Sequence, residues 1–482
     1  MHAPIIARTL GLLLMLFSFT LIPPIAVALI YGEHLQQVFF LSFAVSFSLG
    51  LMFWLPFSNS RQALRIRDGF VITVLFWGAL GLMGALPLFL VPALNLSFTD
   101  AVFESMSGLT TTGATVISGL DQLPRSILYY RQQLHWLGGI GVVVIAVAIM
   151  PLLGVGGMQL YRAETPGPVK DSKLTPRIAG TAKILSLIYV ALTAACAAAY
   201  WLAGMSFFDA LCHAFSTLAT GGFSTHDASI GYFNSTPIII ITIIFMVLAG
   251  INFGLHFLAW QRFSPLTYWR DPESRLYLLL LLAGAIITVT YLFYSHTFAL
   301  SGSLVHGVFT FVSIMTSTGY ITTDFSIWPT FLPVFLVVAS FFGGCGGSTS
   351  GGVKIGRMLI LAKQGVREMR RLVHPSAVVL LKTGKRVVPD AVAKSVWAFF
   401  GVYIAIYYLM VILLMASGVD FLTAWTAVAA CINTMGPALG KVAANFQDLG
   451  DFATWVLTVT MLLGRLEIFP LLVIVTPMFW RR

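Results

Sequence analysis

Apolar runs of about 20 residues recur along nearly the whole chain, and that is the length at which an α-helix crosses a hydrocarbon core of roughly 30 Å. About ten such runs can be counted in the 482 residues. With 58% hydrophobic residues, 10% charged residues and a mean hydropathy of +0.90, the chain cannot be covered by a water-soluble surface. A multi-span membrane protein follows. The first run, Ile5 to Ala28, is too long for a secretory signal, lacks a small-residue cleavage site and contains Pro23-Pro24, so a retained helix is expected.

Cys196, Cys212, Cys345 and Cys431 are far apart and form no CxxC pair, which argues for four small buried side chains rather than a disulfide framework or zinc site. A net charge of +10 invites a nucleic-acid reading, but the basic residues sort by membrane side. Of the 28, 24 fall in alternate connections or at the termini, among them Arg61, Arg65 and Arg67, Arg162 to Lys183, and the run from Lys354 to Lys394, while Arg125, Arg131 and Lys441 fall in the opposite, outer connections and Arg465 inside the last apolar run. Positive-inside then predicts both termini in the cytoplasm, with no nucleic-acid partner.

After two leading spans joined by a turn at Gly32 to Gln37, a pattern repeats: a long span, a shorter apolar segment ending in a Thr/Ser-x-Gly triplet, and another long span. Aligned on the triplet glycine, the copies read Ser107-Gly108-Leu109-Thr110-Thr111-Thr112-Gly113, Ser216-Thr217-Leu218-Ala219-Thr220-Gly221-Gly222, Ser313-Ile314-Met315-Thr316-Ser317-Thr318-Gly319 and Ala430-Cys431-Ile432-Asn433-Thr434-Met435-Gly436. The glycines are 109, 97 and 117 residues apart. Each short segment has helical periodicity over about a dozen residues, too few to span, so it must enter the bilayer and return. Irregular backbone at that depth survives only in protein or beside a water-filled cavity, so four such loops point to one shared pore.

The expected fold is therefore an all-α integral membrane protein: four tandem pseudo-symmetric units of span, re-entrant pore helix and span, preceded by two extra transmembrane helices. The boundaries read as 1–67 for the leading pair and 68–161, 162–262, 263–388 and 389–482 for the units. A cation entering a narrow pore needs several oxygens at once, and glycine at positive φ lets successive backbone carbonyls face one axis. The candidate filter is Thr111, Thr112 and Gly113; Thr220, Gly221 and Gly222; Ser317, Thr318 and Gly319; and Thr434, Met435 and Gly436. Each pore helix would direct the partial negative charge of its C-terminus at the cation.

These residues resemble the superfamily of potassium transporters that includes the bacterial Trk and Ktr membrane subunits, fungal Trk and plant HKT proteins. The likeness runs from about Asp68 to the C-terminus, and the leading spans, the length and Gly464-Arg465-Leu466-Glu467 look most like the membrane subunit of the bacterial Trk potassium uptake system. It implies one filter glycine per unit, at Gly113, Gly222, Gly319 and Gly436, and potassium as the transported ion, with no covalent or catalytic cofactor. Plant members that prefer sodium place serine at the first position, where this chain has Gly113. Only Tyr320 follows a filter glycine as tyrosine, so selectivity over sodium is expected to be looser than in TVGYG channels, with Rb⁺ also conducted.

In the second span of the third unit, Gly343, Gly344, Cys345, Gly346, Gly347, Ser348, Thr349, Ser350, Gly351 and Gly352 cannot hold a helix, because each Gly costs roughly 1 kcal/mol relative to Ala. A phosphate loop is the rival, but Gly352 is followed by Val353 rather than by the GK of a Walker motif. A loop at membrane depth is expected, which the resemblance identifies as an intramembrane gate. Arg465 is read near the middle of the last span as a cation facing the cavity beside that gate, since Glu467 at i+2 lies on a different helix face. Asp100 and Asp209, thirteen residues before their glycines, are expected to cap pore helices, and His135, His213, His226 and His306 to be structural.

The ten basic residues of the Lys354 to Lys394 connection suit anionic lipid or an acidic partner surface. The resemblance implies that a cytoplasmic, TrkA-like, nucleotide-binding subunit docks there, that the chain is a homodimer, and that it sits in the bacterial inner membrane. An enzyme is disfavoured, since no nucleophile, acid/base pair or metal cluster is evident. A cation-coupled potassium symporter, driven by H⁺ or Na⁺, is the alternative; it needs a buried carboxylate, and the spans offer little besides Glu467.

Overall fold

The computed structural model describes residues 2–59, 66–148, 178–329, 331–384 and 386–481. Arg61, Arg65, Arg162, Lys170, Lys173, Arg177, Lys385 and Arg482 lie outside them, as does the expected boundary between 161 and 162. Apolar residues surround nearly every helix, as they must where no water can satisfy a backbone group and each span has to close its own hydrogen bonds. Six described helices are long and apolar enough to cross a membrane, and eight if each of two bent pairs is one span. Helix Arg125–Ala148 and the interrupted pair Phe331–Ser340 and Ile355–Val373 supply the remaining second spans, so four tandem units follow two leading helices. A two-stranded antiparallel ribbon, Lys382–Thr383 with Arg386–Val387, lies in the long basic connection.

The leading pair packs on the first unit. Ala3–Phe19 breaks at Thr20 and resumes as Ile22–Ile30, with Pro23 and Pro24 in the first turn, where a missing N–H leaves no bond unmade. Glu33, in the turn after it, accepts from the Arg125 and Ser126 amides and the Ser126 hydroxyl, neutralising the start of Arg125–Ala148.

Four short helices enter between the spans: Phe98–Leu109, Phe207–Ala219, Leu300–Met315 and Phe421–Ile432. Their capping corrects the expectation for Asp100 and Asp209. Ser97 and Ser206 are the N-caps, accepting from the Asp100 and Asp209 amides at 3.1 and 3.0 Å, while each aspartate accepts the serine hydroxyl at 2.7 Å. The cap therefore lies three residues toward the N-terminus, with each aspartate side chain fixing the capping hydroxyl. In the fourth unit Asp420 is itself the cap, accepting from Thr423 N at 3.1 Å.

The second spans differ from expectation more broadly. Not only the third is interrupted: Thr236–Ala249 turns by 98° into Phe253–Gln261, and Asp451–Arg465 turns by 115° into Phe469–Val475. Asn252 starts the first return by accepting from Gly254 N at 2.7 Å, and Pro470 lies in the first turn of the second. Arg465 is thus the last residue of a broken helix, not the middle of a straight one.

Candidate functional site

Each pore helix ends in a turn whose left-handed residue is Thr or Ser. Thr111, Thr220, Ser317 and Thr434 have φ of 55°, 52°, 55° and 51°. The next amide, of Thr112, Gly221, Thr318 and Met435, reaches back to the carbonyl of Ser107, Ser216, Ser313 and Ala430 at 2.8–2.9 Å, closing a Schellman turn. The recurrent serine six residues before the glycine is the carbonyl that receives this bond. Left-handed φ at a β-branched residue costs of order 1–3 kcal/mol and persists only where the surroundings hold it.

Two residues on, Gly113, Gly222, Gly319 and Gly436 return to positive φ, at 82°, 87°, 80° and 85°. Alternating the sign of φ turns successive peptide planes the same way, so consecutive carbonyls face one axis. The glycines also close a ring. A Cβ on Gly113 would strike the carbonyl oxygen of Gly221, one on Gly222 that of Thr318, and one on Gly319 that of Met435; on Gly436 it would lie 2.8 Å from that of Thr112. The order runs from each unit to the next and from the fourth back to the first. The structure thus brings all twelve predicted filter residues together around one axis. Ten of the twelve are buried, and Gly113 and Gly222 are half-buried.

Below this ring lies the glycine loop. Ser350 donates to Thr316 O at 2.7 Å, the Gly351 amide donates to the Ser317 hydroxyl at 2.6 Å, and a Cβ on Gly351 would overlap Asn433 O and the Thr434 hydroxyl. Thr349 donates to Leu218 O at 2.9 Å, so the loop touches the ends of three pore helices. From its other side, Glu273 accepts from the Gly346 and Gly356 amides at 2.7 and 2.9 Å, Asn252 donates to Gly346 O at 2.6 Å, and Lys354 Nζ donates to Ser350 O. By contrast, the hydroxyls of Thr111 and Thr434 are buried with no hydrogen-bond partner among the described residues.

Arg465, 8% exposed, donates to Thr349 O at 3.1 Å and to Gly138 O at 3.0 Å, joining the loop to the first unit. It does not pair with Glu467, which instead accepts from Arg357 at 2.6 Å across the break. Sequence reasoning missed the left-handed Thr and Ser positions, Glu273, Asn252, Arg357 and the buried pair Glu104 and Arg131. Arg131, assigned to an outer connection, is 1% exposed inside its helix. A polar residue in an otherwise apolar segment was the available signal for Glu104 and Arg131.

The histidines have structural partners: His135 meets Ser216 Oγ at 3.0 Å, His213 the Asp209 carbonyl at 2.8 Å and Ser224 Oγ at 3.0 Å, and His306 Thr322 Oγ1 at 3.0 Å. His226, at the outer mouth, lies between Asp121 and Asp209; burial pushes its pKa down, but hydrogen bonds to these two carboxylates outweigh that and raise it. Among the described residues no group of three His, Cys, Asp or Glu side chains is placed to hold a metal ion, and all four cysteines are buried thiols.

Residues 35–482 match the TrkH family, described as a cation transport protein. The chain is similar to the Trk system potassium uptake protein TrkH of Halomonas elongata, with 54% identity over all of both chains. It is 50% identical to the protein of that name from Escherichia coli K12, again over the full length of both. Its fold superposes on the crystal structure of the potassium transporter TrkH from Vibrio parahaemolyticus with a TM-score of 0.92 and 48% identity, covering both chains completely. This chain therefore belongs to the TrkH family of cation transport proteins, multi-pass membrane transporters rather than enzymes.

Proposed function

We propose that this protein takes up potassium across the bacterial inner membrane through a channel-like pore. The observation that carries this reading is the closed ring in which each filter glycine sits against a neighbouring unit's carbonyl. Carbonyls held at fixed spacing replace a hydration shell only for ions that fit them, and the relatives' printed names supply potassium as the ion. Thr111, Thr112, Gly113, Thr220, Gly221, Gly222, Ser317, Thr318, Gly319, Thr434, Met435 and Gly436 would line the pathway, and K⁺ is cargo rather than cofactor.

The loop Gly343–Gly352 is the gate in this reading. Its Ser350 and Gly351 occupy groups at the filter base, and Arg465 holds its Thr349 carbonyl while placing positive charge below the pore. Opening requires these bonds to break together. Helix Ile355–Val373 leaves the loop for the basic connection, so a TrkA-like nucleotide-binding subunit docking there has a lever on the gate. Cytoplasmic termini follow from the charge distribution, and a homodimer and the unit boundaries 67/68, 161/162, 262/263 and 388/389 complete the proposal.

Glu104 and Glu273 are buried carboxylates that a coupled transporter would need free, but each is committed to fixed partners. Currents from purified protein in a planar bilayer test the mechanism. Reversal at the potassium equilibrium potential, unmoved by a proton gradient, is expected; a reversal potential that follows the proton gradient contradicts the channel-like reading.

A further inference from the structure

We propose that Glu104 and Arg131 form a positioning clamp behind the filter, fixing the strands that leave Gly113 and Gly222 and so setting how strictly the pore separates K⁺ from Na⁺. The inference rests on the filter reading above. Glu104, in the first pore helix, is fully buried, and Arg131, 27 residues later, is 1% exposed. They pair at 2.8 Å through both Nε and Nη2.

Such a pair is a poor stabiliser, since desolvating two charges offsets most of their attraction and an apolar replacement often does as well. Its effect here is geometric. Glu104 accepts from the Thr115 hydroxyl at 3.0 Å and the Val116 amide at 3.0 Å, two and three residues beyond Gly113. Arg131 donates to the Thr115 hydroxyl at 3.1 Å, lies 4.2 Å from the ring centroid of Phe223 and reaches Ser224 O at 3.5 Å, immediately beyond Gly222. One ion pair therefore grips the exits of two adjacent filter strands.

The same register shows where the grip ends. Nine residues before its filter glycine the second unit has His213, which bonds the Ser224 hydroxyl at 3.0 Å, the counterpart of Glu104 to Thr115. The third unit has Thr310, whose hydroxyl has no partner, and the fourth has Ala427. Units three and four brace their exits from other positions with neutral hydrogen bonds, Ser313 Oγ to Tyr320 O at 2.7 Å and Leu439 N to Thr426 Oγ1 at 3.0 Å, so it is the buried ion pair, and not polar bracing as such, that is particular to unit one among the described pore helices. Because K⁺ and Na⁺ differ in the ring size they prefer, loosening two of four strands relaxes discrimination before it stops conduction.

The test compares K⁺ and Na⁺ flux into liposomes for the native protein, Glu104→Gln, Arg131→Lys, Thr115→Val and Gly222→Ala. Loss of a hydrogen bond to a charged partner predicts a K⁺/Na⁺ flux ratio reduced about tenfold in the first two, and by less in Thr115→Val, which removes only the shared hydroxyl. An unchanged ratio in Glu104→Gln and Arg131→Lys, with both fluxes scaled alike, overturns the clamp. Should those two not fold, an unchanged ratio in Thr115→Val overturns it. If Gly222→Ala also leaves the ratio native, it is the filter reading itself that has failed.

Discussion

The glycine ring and the layer beneath it come from the same four repeats and differ in how far those repeats have diverged. In the ring, the left-handed residues differ by only a few degrees in φ from unit to unit, and so do the glycines. Beneath it no two second spans agree: Arg125–Ala148 is continuous, the second and fourth are bent by 98° and 115°, and the third is interrupted by the glycine loop. A coordination cage needs four equal contributions, so drift in any copy harms it. A gate needs only one element that moves and fixed neighbours to move against, which leaves the lower half free to diverge.

The sharpest way to break this contrast is to insert a side chain into the ring. Gly222→Ala combines left-handed strain with overlap on the Thr318 carbonyl, and K⁺ flux should fall roughly 100-fold. Gly436→Ala, with 2.8 Å to the Thr112 carbonyl, should lose only about tenfold. Equal losses would mean that the ring has no weaker seam at the fourth unit. Liposome flux reads both.

Below the ring, substitutions should act in the opposite direction. Arg465→Gln removes two charged hydrogen bonds and a positive charge from under the pore, so flux without any activator should rise about tenfold. Unchanged or lower flux in a well-folded variant would count against the gate. Glu467→Gln weakens the pair with Arg357, which is part-exposed on the glutamate side, and should raise basal flux only about two- to threefold.

The smallest effect concerns the outer mouth, where unit two alone places a histidine between two aspartates. Because His226 has a raised pKa in the folded protein, its contribution to stability is full below the ordinary value of 6.5 and is lost as pH rises through the raised one. The melting temperature in detergent should drop by about 1–2 °C across that interval, and His226→Ala should flatten the drop. A native profile that stays flat would remove the pair from the account.

Much of this was legible in the sequence because repetition made it so. Four aligned glycines between apolar runs specify a ring, and a glycine run within a span specifies a break. The break after Arg465 carries no glycine; Glu467 and Ile468 adopt φ of 56° and 65° there, held by tertiary contacts that no local propensity announces. The left-handed threonines are hidden for the same reason, since Thr is a residue that propensity places elsewhere. The aspartate caps were misplaced by one turn because Ser-x-x-Asp offers two capping side chains. Glu104 and Arg131 meet across 27 residues, a separation set by packing and by no periodicity.

The central claim is that four equivalent strands make one selective ring, and relative ion flux through purified protein in liposomes tests it most directly. K⁺ and Rb⁺ should pass at similar rates and Na⁺ distinctly more slowly, with Gly113→Ser narrowing the difference. Na⁺ passing as readily as K⁺ in the native protein would contradict it.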